Sequence, residues 1–181
     1  MNRKNKTEFL SNLLVSDRLS GMGKYYAREV TIDCGSTDQK RVDFMQFEPA
    51  GTTAVSLIEK GTFTCYEIKS CKEDVFSGNG LNFIGEKNYI VTTMECWKSI
   101  QEEWRNGELV NHIRKCNPES SMHFGIMVAI PDYTEAVDEY ENPTPIDTDC
   151  RWRLAVVIPC NAGSRKRSTT ELLFCMLRSG R

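Results

Sequence analysis

Hydrophobic residues are concentrated in six short segments of the chain, with polar and turn-forming residues between them. These segments are rich in β-branched and aromatic residues, and each of them predicts a β-strand. The predicted strands cover 24–32, 41–47, 62–69, 88–93, 124–130 and 152–158. The fifth segment is apolar on both faces, which is typical of a strand in the interior of a sheet.

Longer segments with apolar residues at helical spacing predict three helices, over 7–19, 94–105 and 169–178. Residues 72–76 favour a short helical turn. Residues 131–150 contain three prolines and a cluster of acidic residues, so we predict an exposed loop there. The order of elements predicts an α/β (α+β) fold in which helices flank a mixed central β-sheet, and 181 residues fit one domain.

The net charge of -2 does not by itself indicate a nucleic-acid-binding protein. The charge is unevenly distributed, however. Residues 131–150 hold seven acidic and no basic residues, whereas residues 151–181 hold seven basic residues and one acidic residue. An acidic loop beside a basic segment could steer a polyanion. Two solvated surface stretches explain the pattern equally well.

The sequence gives no indication of a membrane segment or of an export signal. Residues 1–6 are basic and polar, and no apolar run follows them. No segment approaches the roughly 20 apolar residues that span a bilayer. We therefore expect a cytoplasmic protein without a membrane partner.

The chain has eight cysteines but no Cys-x-x-Cys pair, which argues against a structural zinc site. Several cysteines lie in apolar segments, so we expect all eight to be thiols. Cys34 lies on a predicted turn, but no histidine near it in sequence supports a cysteine hydrolase.

The chemistry indicated most clearly by the sequence lies in the second and third predicted strands. Side chains alternate along a strand, so Glu67 and Lys69 point to one face while Ile68 points to the other. If the two strands are antiparallel neighbours, Asp43 lies close to Glu67. Two carboxylates at a sheet edge form a hard-oxygen site suited to Mg²⁺, with Mn²⁺ as a substitute. The Ile68 carbonyl could supply a further ligand, and Lys69 could orient a water molecule or stabilise negative charge.

A structural explanation of these residues is also available. A Glu-x-Lys triplet occurs by chance about once in a chain of this size, and paired charges are common on an exposed strand. The local context favours the functional interpretation. Asp43 lies between Val42 and Phe44, and Glu67 follows Cys65 and Tyr66. A carboxylate in a core strand is costly unless it is paired or bound to metal.

These segments, in this order, resemble the PD-(D/E)XK nuclease superfamily. The resemblance rests on Arg-Val-Asp-Phe at 41–44 and Glu-Ile-Lys-Ser at 67–70. Residues 70–76 and 82–91 are similar to MmcB-like DNA-repair proteins and to phage-encoded members. The resemblance covers roughly residues 24–93, about two-fifths of the chain.

The resemblance implies a restriction-endonuclease-like fold, with a nuclease core at about 7–105 and C-terminal strands and a helix at 123–181 of the same domain. It implies that Asp43 and Glu67 are metal ligands and that Lys69 is the catalytic lysine. The superfamily often adds an upstream acid, for which Glu29 is the first candidate and Glu8 the second. An exposed strand acid is an equally good interpretation of Glu29.

The function implied is that of a Mg²⁺-dependent DNA endonuclease, which hydrolyses phosphodiester bonds in DNA repair or in phage DNA processing. The chain has Val42 where the motif name has proline, a position that varies in the superfamily. DNA is the expected partner. Many nucleases of this kind act as dimers, so a homodimer is compatible with the resemblance.

Basic residues outside the triplet are candidates for contacts with DNA. Lys72 and Lys87 could contact a phosphate, although surface lysines explain them as well. Arg165, Lys166 and Arg167 form the one dense basic cluster in the sequence, directly before the last predicted helix. A helix N-terminus attracts phosphate, and a surface turn is an equally ordinary explanation of the cluster.

Two other functions remain open from the sequence alone. The chain could be a non-catalytic nucleic-acid-binding module on the same fold, which the acidic net charge mildly favours. It could also be a protein-interaction module that uses the acidic loop and residues 94–105 as its interface. Binding of DNA without metal-dependent turnover would indicate the first, and co-purification of a protein partner without nucleic acid the second.

Overall fold

The computed structural model describes residues 2–51 and 54–179. All six predicted strands are present, and their ends lie within one residue of the predicted ends. Strands β1 to β6 are Tyr25–Ile32, Lys40–Glu48, Thr62–Ile68, Lys87–Thr93, Gly125–Pro131 and Trp152–Ile158. The predicted α/β class is confirmed, because one mixed six-stranded sheet is flanked by helices.

The strands lie side by side in the order in which they occur along the chain. Strands β1, β2 and β3 form an antiparallel meander, which confirms that β2 and β3 are antiparallel neighbours. Strand β4 is parallel to β3 and to β5, and β6 is antiparallel to β5. Every residue of β5 is buried, as its apolar sequence predicts.

Within the described ranges, 2–51 and 54–179, six α-helices connect and cover the strands. Helices α1 to α6 are Arg3–Leu14, Lys72–Val75, Met94–Arg105, Glu108–Cys116, Ala136–Glu141 and Thr169–Ser179. The first predicted helix begins earlier than residue 7, and its last five residues, Val15–Leu19, form a π-helical turn. Val55–Leu57 is a single 3₁₀ turn.

The prediction that residues 131–150 form an exposed loop was wrong in its middle part. Helix α5 occupies six of these residues, and Glu139 within it is buried. The Glu139 carboxylate accepts hydrogen bonds from the backbone N–H and the hydroxyl of Thr144, at 2.8 and 2.9 Å. These bonds satisfy the carboxylate and fold the acidic segment back on itself.

Helices cover both faces of the sheet. Helix α1 packs on one face, where Tyr66 and Ile68 of β3 join its leucines in a buried cluster. On the opposite face, Phe63 and Cys65 of β3 pack with α6, while α3 and α4 cover β4 and β5. The site described below lies on that second face, between the cluster beneath α6 and the cluster beneath α3 and α4.

The helices and the cysteines bear on the predictions about membranes and disulfides. Over residues 2–51 and 54–179, none of the helices combines the length and the apolar character that a bilayer crossing requires. All eight cysteines are free thiols.

Candidate active site at the ends of strands β2 and β3

The site forms where the backbone pairing of β2 and β3 ends. Phe44 and Tyr66 are the last residues paired in this ladder. The next residue of β2, Asp43, uses its side chain instead: Oδ2 accepts a hydrogen bond of 2.8 Å from the backbone N–H of Ile68. The carboxylate of Asp43 is therefore held against the end of β3.

Strands β1 and β2 are both irregular at this point. In an unbroken strand Val42 and Met45 would face opposite sides, yet both lie in the cluster beneath α6. Glu29, which lies across from Asp43 in the β1–β2 register, has a φ of 51°. A left-handed residue inside a strand is uncommon and interrupts the ladder. The break leaves Asp43 free to turn towards β3.

Glu67 is the most deeply buried acidic residue of the site, with 1% of its surface exposed. Its Oε1 atom accepts a hydrogen bond of 3.1 Å from the backbone N–H of Asn82. Its Oε2 atom is buried and accepts no hydrogen bond of normal geometry from the residues that the structure describes, although the backbone N–H of Leu81 lies near the carboxylate. Buried carboxylate oxygens are normally paired, so this atom is available to a ligand.

Lys69 lies beside Glu67, as the alternation predicts. Its Nζ atom donates a hydrogen bond of 2.7 Å to the carbonyl of Asn79 and lies 3.9 Å from Asp74 Oδ1. A β-carbon at Gly80 would lie 2.7 Å from Glu67 Oε2 and 3.1 Å from Lys69 Nζ. The carboxylate and the ammonium group therefore both lie against the bare Cα of one glycine.

Burial and mutual repulsion shift the titration of both carboxylates. Burial, followed by the negative charge of Asp43, raises the pKa of Glu67 to about 8, against the charge of Lys69 and the nearby backbone N–H groups. Burial also raises the pKa of Asp43, against the Ile68 N–H bond and the charge of Lys69. In the metal-free protein near neutral pH, this pair therefore binds protons more strongly than two free carboxylates would.

A cavity of about 630 Å³ opens over these residues. Asp43, Glu67, Ile68 and Lys69 line it together with three basic residues. Arg3 reaches it from α1 with 64% of its side chain exposed, and Arg41 reaches it from β2 with 60% exposed. Lys40 lines the same side as Arg41. The floor of the cavity is acidic and its surroundings are basic.

Several residues of the cavity were not identified from the sequence. Gly80, Asn82 and Asn117 line it, and the Asn117 amide donates a hydrogen bond of 2.8 Å to the Gly80 carbonyl. In the sequence, the Gly-Asn-Gly segment at 78–80 indicates only the end of the preceding helical turn. The basic residues could have been identified from Lys40 and Arg41, which lie three and two residues before Asp43 in the sequence.

The structure does not bring either candidate upstream acid to the site. Glu29 does not line the cavity, 70% of its side chain is exposed, and its carboxylate lies 3.8 Å from the Arg41 guanidinium. Glu8 is exposed on α1 and also lies outside the cavity. The left-handed conformation at Glu29 explains why its position across from Asp43 does not produce a contact.

The predicted contacts of DNA with Lys72 and Lys87 are not supported by their positions. Lys72 forms an ion pair with Glu103 of α3, away from the cavity. Lys87 is exposed at the start of β4 and does not line the cavity.

The basic cluster before α6 is largely engaged within the protein. Arg165 forms an ion pair of 2.6 Å with Glu86. Arg167 donates to both carboxylate oxygens of Asp33, at 2.8 and 2.7 Å. Lys166 donates to the Glu119 carbonyl. These contacts fasten the segment before α6 to the sheet and leave Arg165 and Arg167 with satisfied charges.

The donor set of the site fits Mg²⁺ or Mn²⁺. Such a cation prefers about six oxygen ligands, some of them carboxylates and the rest carbonyls, water or phosphate. Asp43 and Glu67 would supply the carboxylates, one of them through the unpaired Oε2. Over residues 2–51 and 54–179, no group of three or more His, Cys, Asp or Glu side chains forms a metal site. Asp74 also lines the cavity but is held in an ion pair of 2.6 Å with Arg3, so the other ligands would be neutral oxygens.

Comparisons of the chain with protein-family models, with curated proteins and with solved structures gave no match.

Proposed function

We propose that this protein is a Mg²⁺-dependent DNA endonuclease with a restriction-endonuclease-like active site formed by Asp43, Glu67 and Lys69. The observation that carries the proposal is the buried, unpaired Oε2 atom of Glu67, next to Lys69 Nζ in an open cavity. An apolar core would not retain such an atom without compensation, because an unsatisfied buried acceptor costs about 1–3 kcal/mol. A bound cation removes this cost.

Asp43 and Glu67 would hold the cation, which when bound polarises a phosphoryl oxygen and acidifies a water molecule. The Ile68 N–H fixes the orientation of Asp43, and the Asn82 N–H fixes that of Glu67. Lys69 is held by the Asn79 carbonyl and presents its positive charge at the same point. It would orient the attacking water and stabilise the charge that develops on the phosphate.

The charges around the cavity favour a nucleic acid as the substrate. Arg41 lies where a phosphate next to the cleaved phosphodiester would pass. Arg3 and Lys40 line the same cavity but form ion pairs with Asp74 and Glu119, at 2.6 and 3.2 Å, which a phosphate would replace. Phosphate contacts of this kind give affinity and position without reading sequence. We propose DNA as the substrate and the cytoplasm as the location of the protein.

The experiment that tests the function is cleavage of a panel of duplex, single-stranded and branched DNA. We expect cleavage with Mg²⁺ or Mn²⁺ and none with EDTA. We expect Glu67→Gln and Lys69→Met to lose at least about 100-fold in rate, since each removes a charge that acts in the transition state. Both variants should remain folded.

Lys72→Met is the matched control, because it also neutralises a lysine but lies outside the cavity. It should cleave like the wild type. Metal-dependent cleavage that persists in Glu67→Gln and Lys69→Met would contradict the proposal. Binding of DNA without any turnover in the wild type would favour the non-catalytic module instead.

A further inference from the structure

The side chain of Asn82 has a fixed orientation that leaves its oxygen without a partner. Its amide nitrogen donates a hydrogen bond of 2.8 Å to the backbone carbonyl of Arg41. A carbonyl only accepts hydrogen bonds, so the two ends of the amide cannot be exchanged. The Oδ1 atom is therefore held on the other side of the amide, where it is buried and has no donor among the described residues.

Asn82 lies in the same site as Glu67. Only 5% of Asn82 is exposed, and the residue lines the same cavity as Asp43 and Glu67. Its backbone N–H also donates to Glu67 Oε1. Across residues 2–51 and 54–179, four buried side-chain atoms lack a partner, and two of them are Glu67 Oε2 and Asn82 Oδ1.

We propose that Asn82 Oδ1 is a direct ligand of the divalent cation that Asp43 and Glu67 bind. The inference rests on the proposed function, because it concerns the same metal site. A cation compensates two buried acceptors at once, which no donor of the described chain does here. Amide oxygens are ordinary ligands of hard cations. A neutral third ligand also keeps the charge of the two carboxylates matched to that of the cation.

Asn82 would also connect the cation to the point where the backbone pairing of β2 and β3 ends. Asn82 is bonded through its amide nitrogen to Arg41, two residues before Asp43, and through its backbone to Glu67. It therefore connects both strands that carry the carboxylates. A ligand in this position fixes the separation of the two carboxylates as well as contributing an oxygen of its own.

The test is a calorimetric titration of MnCl₂ into the wild type, Asn82→Ala and Asn82→Asp. We expect Asn82→Ala to bind Mn²⁺ at least about tenfold more weakly than the wild type, because a ligand is lost. We expect Asn82→Asp to bind at least as tightly as the wild type, because the oxygen is kept and a charge is added. The melting temperature of this variant without metal should fall, because the backbone carbonyl of Arg41 loses the Asn82 amide as its hydrogen-bond donor.

Asn88→Ala provides a matched control. Asn88 is also buried and donates a hydrogen bond of 3.0 Å to a backbone carbonyl, that of Gly85, but it does not line the cavity. Its own oxygen accepts a hydrogen bond of 3.1 Å from the Gly85 N–H. The control should lower the melting temperature and leave the dissociation constant for Mn²⁺ within about twofold of the wild type.

Two results would overturn the inference in distinguishable ways. If the wild type binds Mn²⁺, Glu67→Gln does not, and Asn82→Ala binds as the wild type does, Asn82 is a structural residue and only this inference fails. If the wild type binds no cation, the proposed function fails together with it. If Asn82→Ala does not fold, Asn82→Asp decides: tight binding supports the inference and weakened binding overturns it.

Discussion

Gly80 lies against both the Glu67 carboxylate and the Lys69 ammonium group, where the absence of a β-carbon leaves space for them. Its φ of 70° already favours glycine, and a β-carbon there would lie 2.7 Å from Glu67 Oε2. The contact is closer than two such atoms can approach without movement. This one position therefore combines a backbone requirement with a requirement of the site.

We predict that Gly80→Ala displaces the Glu67 carboxylate. The variant should lose about 1 kcal/mol of unfolding free energy from the left-handed backbone. It should also lose about 100-fold in cleavage rate, because small displacements of catalytic groups have effects of that size. Denaturant unfolding and the DNA cleavage assay measure the two effects.

Gly23→Ala is the control for the backbone effect, since Gly23 has a φ of 77° and no atom within 4 Å of an added β-carbon. It should show the same loss of stability and wild-type cleavage. Equal cleavage by both variants would show that the space at Gly80 has no role in the site.

Strand β2 carries basic residues at the side of the cavity and one of the two carboxylates of the site. Its first two residues, Lys40 and Arg41, line the cavity on one side, and Asp43 follows them. Because β2 leaves the β3 ladder at Asp43, the start of the strand is exposed to a substrate rather than covered by its neighbour.

We predict that Arg41→Ala weakens the binding of metal-free protein to DNA and reduces its salt dependence. One lost phosphate contact should lower the slope of log K against log salt by about 1. Fluorescence anisotropy over a series of salt concentrations measures this slope. Lys72→Ala should leave the slope unchanged, because Lys72 is paired with Glu103 outside the cavity. A slope for Arg41→Ala equal to that of the wild type would exclude a phosphate contact.

The elements were predicted from sequence with unequal success, for physical reasons. The six strands were predicted because each of them is a distinct apolar segment of the sequence. The predicted bounds of α3 are those observed. Helix α4 was missed although Leu109 and Ile113 lie one turn apart on its buried face. Helix α5 was missed because its buried residue is an acid, Glu139, whose burial depends on Thr144.

The site was predictable only where the sheet determines it. Strand alternation places Glu67 and Lys69 together, and antiparallel pairing brings Asp43 to them. The segment that carries Gly80 and Asn82 is irregular, so no periodicity relates it to the strands. The left-handed backbone of Glu29 is likewise a tertiary feature, and for that reason Glu29, the expected upstream acid, lies outside the cavity.

At the scale of the whole molecule, the buried carboxylates link stability to pH. The pKa of Glu67 is about 8 in the folded protein, compared with an ordinary value of 4.5. Between these values the folded state binds more protons than the unfolded state. The stabilising contribution of the protonated group is therefore fully present below the ordinary pKa and is lost as pH rises through the folded pKa. Asp43, whose pKa is also raised, acts in the same direction.

We predict that the metal-free wild type loses stability from about pH 5 to about pH 9 more steeply than Glu67→Gln. The amide carries no titrating proton, so the variant should be the more stable of the two at the upper end. Thermal unfolding in EDTA across this range measures the difference. Parallel pH profiles for the two proteins would contradict the burial of an unpaired Glu67 carboxylate.

The central claim is that Asp43 and Glu67 bind a divalent cation, and it is tested most directly by isothermal titration of Mn²⁺ into the wild type and Glu67→Gln. The measurement requires no knowledge of the DNA substrate. We expect the wild type to bind one cation and to release protons on binding, because the pKa of Glu67 is raised. We expect Glu67→Gln to bind at least about 100-fold more weakly, having lost a charged ligand. Equal binding by both proteins, or no binding by either, would contradict the claim.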